Sequence, residues 1–202
     1  MRKKWVVGAA AVAVLLVATM PAGMTHEKTE LDKDDSAGPL DIVAARQRHR
    51  VAHLLQTHPQ REFKEIELRY RLVTYEAWER EIVSGNHNFI SFEFDLDADR
   101  AIERCLVITN SEFEMLGRMY KNCTYFDDEL VGSASVGRRD KHSLDTAFPR
   151  RLLRKGITRW KWRAVTSFEQ QNQNSSCAAP DPHGDGGYGA CADFTQWRTH
   201  KI

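Results

Sequence analysis

The chain has 202 residues, 42% of them apolar, and its 29 Lys and Arg against 28 Asp and Glu leave a formal charge of +1. With no overall cationic excess, nucleic acid is not an expected partner. The local cysteine couples, Cys105 with Cys123 and Cys177 with Cys191, lack the spacing of about two to four residues that a zinc knuckle needs, so structural zinc is set aside as well.

Residues 1–22 run from a basic head of Arg2, Lys3 and Lys4 through the apolar WVVGAAAVAVLLVAT to the small-residue exit MPA, the order found in an export signal. The apolar run is shorter than the roughly 20 residues of a bilayer span. Cleavage near Ala22, secretion and no stable membrane span are therefore expected, although Met20 stands where a small residue is preferred. The alternative is an uncleaved segment that holds the protein at the membrane. Residues 23–37 are polar and without apolar period, which reads as a flexible leader ahead of a domain over 38–168.

From Leu40 the rhythm is mostly of period two, the mark of strands with one buried face. LDIVAAR is the first candidate. The stretch RQRHRVAHLLQTHPQREF fits a helix through Val51, Leu54 and Leu55 and strands through its neighbours. In IELRYRLVTYEAW, Ile66, Leu68, Tyr70 and Leu72 share one face, with Glu67, Arg69 and Arg71 on the other. EAWEREIV, residues 76–83, reads as more strand or as a short helix. NFISFEF alternates Ile90, Phe92 and Phe94, and ERCLVITN with EMLGRMY forms a hairpin about Asn110 and Ser111. LVGSASVG and SLDTAF follow. Pro149 then opens and Gly156 closes one short helix over RRLLRK, and RWKWRAVTSF is the last strand.

Seven or eight short strands with almost no βαβ rhythm predict an all-β fold, an antiparallel β-sandwich. After Phe168 the pattern ends. Residues 169–202 read as an exposed tail rich in Asn, Gln, Gly, Pro and Ser. Thiols in an oxidising compartment usually pair, and of three possible pairings the local one is favoured: Cys105–Cys123 and Cys177–Cys191. Closing a loop of about 15 residues gives roughly 3 kcal/mol in the chain-entropy account.

Four groups of side chains are candidates for chemistry. Asp95, Asp97, Asp99 and Glu103 occupy the first, third, fifth and ninth places of a calcium loop, where hard oxygen ligands would converge on the cation. Arg100 and Leu106 stand where that loop needs glycine and glutamate. The competing reading is a polar turn whose carboxylates accept backbone amides, with no cofactor. RWKWR sets Trp160 and Trp162 on one face and Arg159, Lys161 and Arg163 on the other. Burying each indole removes up to about 250 Å² from water, roughly 5 kcal/mol, so the indoles are assigned to the core and a sugar platform is the alternative. Residues 138–163 hold ten Lys and Arg against two acids. Arg138, Arg139 and Lys141 with Arg159, Lys161 and Arg163 could gather an anionic polymer, or simply form a soluble surface. His49, His53 and His58 are weighed as metal ligands and read as scattered exposed histidines.

The stretches GPLDI, ISFEFDLDADRAIERC, FPRRLL and RWKWRAVTSF resemble segments of a group of secreted proteins from actinobacteria, over residues 38–193. The resemblance implies export and a β-sandwich with an Asp-rich segment after a central strand and an aromatic strand ahead of a cysteine-closed tail. It implies no activity. The usual Asp-rich segment carries a glycine where this chain has Ala98, which weakens any cation role carried over to Asp95, Asp97 and Asp99.

No GxSxG elbow, HExxH helix, GxxxxGK loop or GxGxxG after a strand occurs. The chain therefore reads as a secreted, non-enzymatic binding or structural module without an identified partner. One alternative is a binder of anionic or sugar polymers of the cell envelope. The other is a hydrolase whose acids come from Asp95, Asp97, Asp99 and Glu103.

Overall fold

The computed structural model describes residues 28–31, 40–57, 60–83, 88–111, 114–123, 129–169 and 190–202. Among them lie eleven strands: β1 Lys28–Leu31, β2 Ile42–Thr57, β3 Gln60–Thr74, β4 Phe89–Asp95, β5 Arg104–Asn110, β6 Met115–Lys121, β7 Leu130–Gly137, β8 Ser143–Pro149, β9 Arg159–Glu169, β10 Ala190–Phe194 and β11 Arg198–Lys201. Every pairing is antiparallel. The order is β1-β2-β3-β8-β7-β6-β5-β4-β9-β10, with β11 also on β9.

The all-β, antiparallel expectation holds, but the two facing sheets of a sandwich are replaced by one continuous sheet that curls on itself. Period two is identical in both architectures, because it reports only which face of each strand is buried. What separates them is β7, whose first part, Leu130 to Ala134, pairs with β6 while its second, Ser135 to Gly137, pairs with β8, so that one strand joins the two halves of the ladder. The curl brings the start of β2 toward β9 and the segment after it. There Thr166 Oγ1 donates to the Leu40 carbonyl at 2.8 Å, the Ile42 amide donates to Asp193 Oδ2 at 2.6 Å, and Arg198 donates to the Ala45 carbonyl at 3.3 Å.

Aromatic rings fill the concave side. Tyr70 sits among Phe92, Phe94, Phe148 and Trp162 with ring centroids 5.0 to 5.6 Å away, and its hydroxyl accepts the Trp160 indole N–H at 3.1 Å. Burial pushes the Tyr70 phenol well above its ordinary range, so it stays neutral. Trp160 and Trp162 are each 2% exposed, as the alternation of RWKWR predicts, and neither offers a face to a sugar ring.

Helix is confined to two single 3-10 turns among the described residues. One spans Arg80–Ile82 inside the 76–83 stretch. The other spans Arg150–Leu152, entered through Pro149 and followed by Gly156 at φ +76°. The ambiguous stretch after Arg46 is a long β2–β3 hairpin in register from Ala44–Val73 to Thr57–Gln60. Strand β1 falls inside the polar leader and β10 and β11 inside the tail. These strands are four or five residues long, too short to show a period, and they form because the open edges of β2 and β9 supply unpaired donors and acceptors. Cys105 and Cys123 are bonded, with Cα atoms 5.3 Å apart, and staple the β5–β6 hairpin. Cys177 lies outside the described residues, and with it the expected Cys177–Cys191 bridge. So does the export segment. Among the described residues no helix is long and apolar enough to cross a membrane.

Candidate functional site

The acidic loop begins where β4 ends. Asp95, Asp97, Asp99 and Glu103 each present an oxygen within 4.8 Å of the others. Each also accepts a backbone amide: Asp95 those of Ala98 at 2.6 Å and Arg100 at 3.2 Å, Glu103 that of Leu96 at 2.6 Å, Asp99 that of Ala101 at 2.7 Å and Asp97 that of Asp99 at 3.4 Å. Ala98 and Arg100 hold positive φ, 70° and 80°, a left-handed geometry that costs energy in a residue with a Cβ. The amide bonds to Asp95 hold both residues there. Lys161 Nζ stands 3.8 Å from Asp95 Oδ2. Burial, then the neighbouring charges of Asp97 and Asp95, hold the Glu103 carboxyl above its ordinary range despite the Leu96 amide.

The six cations singled out between 138 and 163 do not form one patch. Arg138 lies 3.9 Å over the Trp78 ring and donates to the Trp78 and Lys141 carbonyls. Lys141 pairs with Glu79. Lys161 faces Asp95. Arg163 donates to Glu93 at 2.6 Å, with only 15% and 3% of the two side chains exposed, and its guanidinium lies 4.8 Å from the Trp197 ring. Arg159 is opposite Lys201 at the end of β9. Only Arg139 joins other cations at an open groove.

That groove, about 140 Å³, lies on the outer face of β2, β3 and β8 and is lined by Arg46, Arg48, Arg69, Arg71, Arg139 and Asp145, with Tyr70 at its floor. Register builds it. Arg46 is opposite Arg71 and Arg48 opposite Arg69, so like charges face each other twice in succession. Such pairs are destabilising by a few tenths of a kcal/mol to about 1. Among the described residues, two carboxylates orient the forks. Asp145 accepts from Arg71 Nε at 2.8 Å and Nη2 at 2.6 Å, with Arg139 Nε 3.4 Å away. Glu67 accepts from Arg50 at 2.8 and 3.1 Å and from Arg69 at 2.6 Å. Burial raises the Glu67 carboxyl, but the bonds from Arg50 and Arg69 outweigh it and hold it below its ordinary range.

Of the cationic set expected from the sequence, this groove includes Arg139 alone. The signal for the rest was the period-two RQRHR and RYR. Of the three histidines, His49 packs edge-on to the His200 ring, with centroids 5.3 Å apart; the His53 side chain and His58 lie outside the described residues. Compared with protein families, with curated proteins and with solved structures, the chain finds no match.

Proposed function

We propose that the chain is an exported, non-enzymatic module that binds anionic polymers of the cell envelope through the arginine face of β2, β3 and β8. The observation that carries this reading is the facing of Arg46 with Arg71 and of Arg48 with Arg69 on the outer face of the sheet, where Arg48 and Arg69 are exposed. A sheet that needed only solubility would alternate signs across its strands, as most surfaces do. Guanidinium groups are planar forks that match phosphate and carboxylate oxygens two at a time, which suits oxyanion recognition. The aromatic core supports the same reading, because the concave side is filled with rings and leaves recognition to the outside. The acidic loop is read as a self-capped turn at the end of β4, with no cofactor.

The test is retention of the mature protein on immobilised polyanion and on neutral dextran across a salt gradient. Elution from the polyanion at rising salt, with flow-through on dextran, is the expected result. Retention that is equal on both supports, or insensitive to salt, would end the proposal.

A further inference from the structure

We infer that the chain forms a two-fold dimer in which the outer edge of β3 over residues 60–66 pairs antiparallel with the same edge of a second copy, centred on Phe63. The β2–β3 hairpin outruns the rest of the sheet. Strand β1 covers β2 only from Ala44 to Gln47 and β8 covers β3 only from Glu67 to Val73, yet the two strands stay in register from Val51–Ile66 to Thr57–Gln60. That arm is roughly 20 Å long, at about 3.4 Å per residue. After Pro149 the chain turns off the β3 edge, with Leu152 against Gly132 of β7 and Leu153 in the core. Among the described residues no strand takes its place beside 60–66. Val51, in alternation with the buried Gln47, is 49% exposed where the arm leaves the core behind. A two-stranded ribbon is marginal in water by itself, and its open edges are templates for another strand.

Charge complementarity identifies the occupant as a second copy. Residues 48–57 of β2 carry Arg48, Arg50 and no acid, so that edge offers its own copy no complement. The β3 edge reads QREFKEI, with acids and bases placed symmetrically about Phe63. Antiparallel pairing centred there sets Glu62 opposite Lys64 and Arg61 opposite Glu65, each twice because the interface is isologous. Moving the centre by one residue places either two copies of Glu62 or two copies of Lys64 face to face on the axis. Charge therefore selects one register. Within the hairpin the positions opposite Arg61, Glu62, Lys64 and Glu65 are Gln56, Leu55, His53 and Ala52, which supply no opposite charge across the ladder. Glu65 pairs with Arg151 of its own chain, and it can take a second arginine as Glu67 takes both Arg50 and Arg69.

The experiment is sedimentation velocity of the mature protein over a wide concentration range, and a reversible equilibrium of monomer and dimer is expected. Glu62→Lys and Lys64→Glu each turn two opposite-charge pairs into like-charge ones, so either alone should raise the dimer dissociation constant at least about tenfold. Mixed one to one, the two variants are complementary again and should form a heterodimer. The double variant, Glu62→Lys with Lys64→Glu, should dimerise as the unaltered protein does. Both positions lie on the arm beyond β8, and an unchanged circular dichroism spectrum confirms the fold of each variant. A monomer at every concentration, a dimer indifferent to both single variants, or two weakened variants that stay apart when mixed overturns the inference. Growth past the dimer overturns it too, since the β3 edge of one copy would then take the β2 edge of the next in an open chain.

Discussion

The outer faces of two strand pairs in the same sheet carry arginines and lysines at the same alternate positions and treat them in opposite ways. On β4–β9, each outward cation meets a carboxylate across the ladder: Arg163 meets Glu93, and Lys161 meets Asp95, with Glu93 and Asp95 themselves buried. On β2–β3, two successive cross-strand pairs set arginine opposite arginine before Arg50 meets Glu67. Lys161 and Arg163 of β9 are part of the structure, tied to partners some 70 residues away in the chain and covered in the case of Arg163 by the Trp197 ring. The facing arginines of β2–β3 repel one another across the ladder, and Asp145 and Glu67 fix the planes of Arg71 and Arg69. Local density of Lys and Arg along the chain does not separate the two cases; the partner across the strand does.

The largest effect should come from breaking the paired face. Glu93→Ala leaves Arg163, 15% exposed, as an uncompensated cation. Loss of one member of a buried pair costs about 3 to 5 kcal/mol. For a domain of this size that lowers the thermal midpoint by roughly 10 °C, at about 2 to 4 °C per kcal/mol. Arg69→Ala on the other face should move it by no more than about 2 °C, since exposed substitutions stay within about 0.5 kcal/mol. Comparable shifts for the two variants would mean that the pair is solvated and the contrast false.

Much of this contrast was hidden in the sequence, and for physical reasons. Alternation made the strands legible wherever one face is apolar, as in Ile90, Phe92 and Phe94 or Trp160 and Trp162, because desolvation fixes which way those side chains turn. It carried no information on which strand lies beside which, and therefore none on whether the sheet is one or two. The same blindness misplaced the cationic surface. Arg151 pairs with Glu65, Lys141 with Glu79 and Arg163 with Glu93, contacts that need the folded register to appear. The arginine face was obscured because RQRHRVAHLLQTHPQREF fits two periods. On a helix Arg48 would lie opposite Arg46 and Arg50, and only as a strand do all three share a face. In the acidic loop the carboxylate spacing was legible, while the amides they accept were not.

A middle-sized effect comes from placing the same substitution on each face. Arg48→Glu sets a carboxylate opposite Arg69 and turns a like-charge pair into an opposite one, a change worth about 0.2 to 1 kcal/mol within that pair. Retention on polyanion should fall in the same variant, because the face loses a cation and gains an anion. Arg163→Glu instead sets two carboxylates side by side at Glu93 and should destabilise. Chemical denaturation of both variants reads the two signs. A loss of stability in Arg48→Glu would mean that the arginine face is held together by contacts stronger than its own repulsion.

The smallest effect belongs to the loop that joins the end of β4 to β5. Glu103 has its carboxyl held above the ordinary range, by burial first and then by Asp97 and Asp95. A raised carboxyl binds its proton more tightly in the folded chain, so its ionisation costs stability at neutral pH, and that cost fades as pH falls through the raised value toward the ordinary one. Glu103→Gln keeps an oxygen for the Leu96 amide and removes the charge. At neutral pH it should stabilise by a few tenths of a kcal/mol, about the size of other exposed substitutions, and the gain should vanish in acid. If the four carboxylates instead held a calcium ion, added calcium would raise the midpoint of the unaltered protein and the sign for Glu103→Gln would reverse. Thermal scans with millimolar calcium and with chelator, at neutral and acid pH, therefore decide between an ion and a turn that its own amides close.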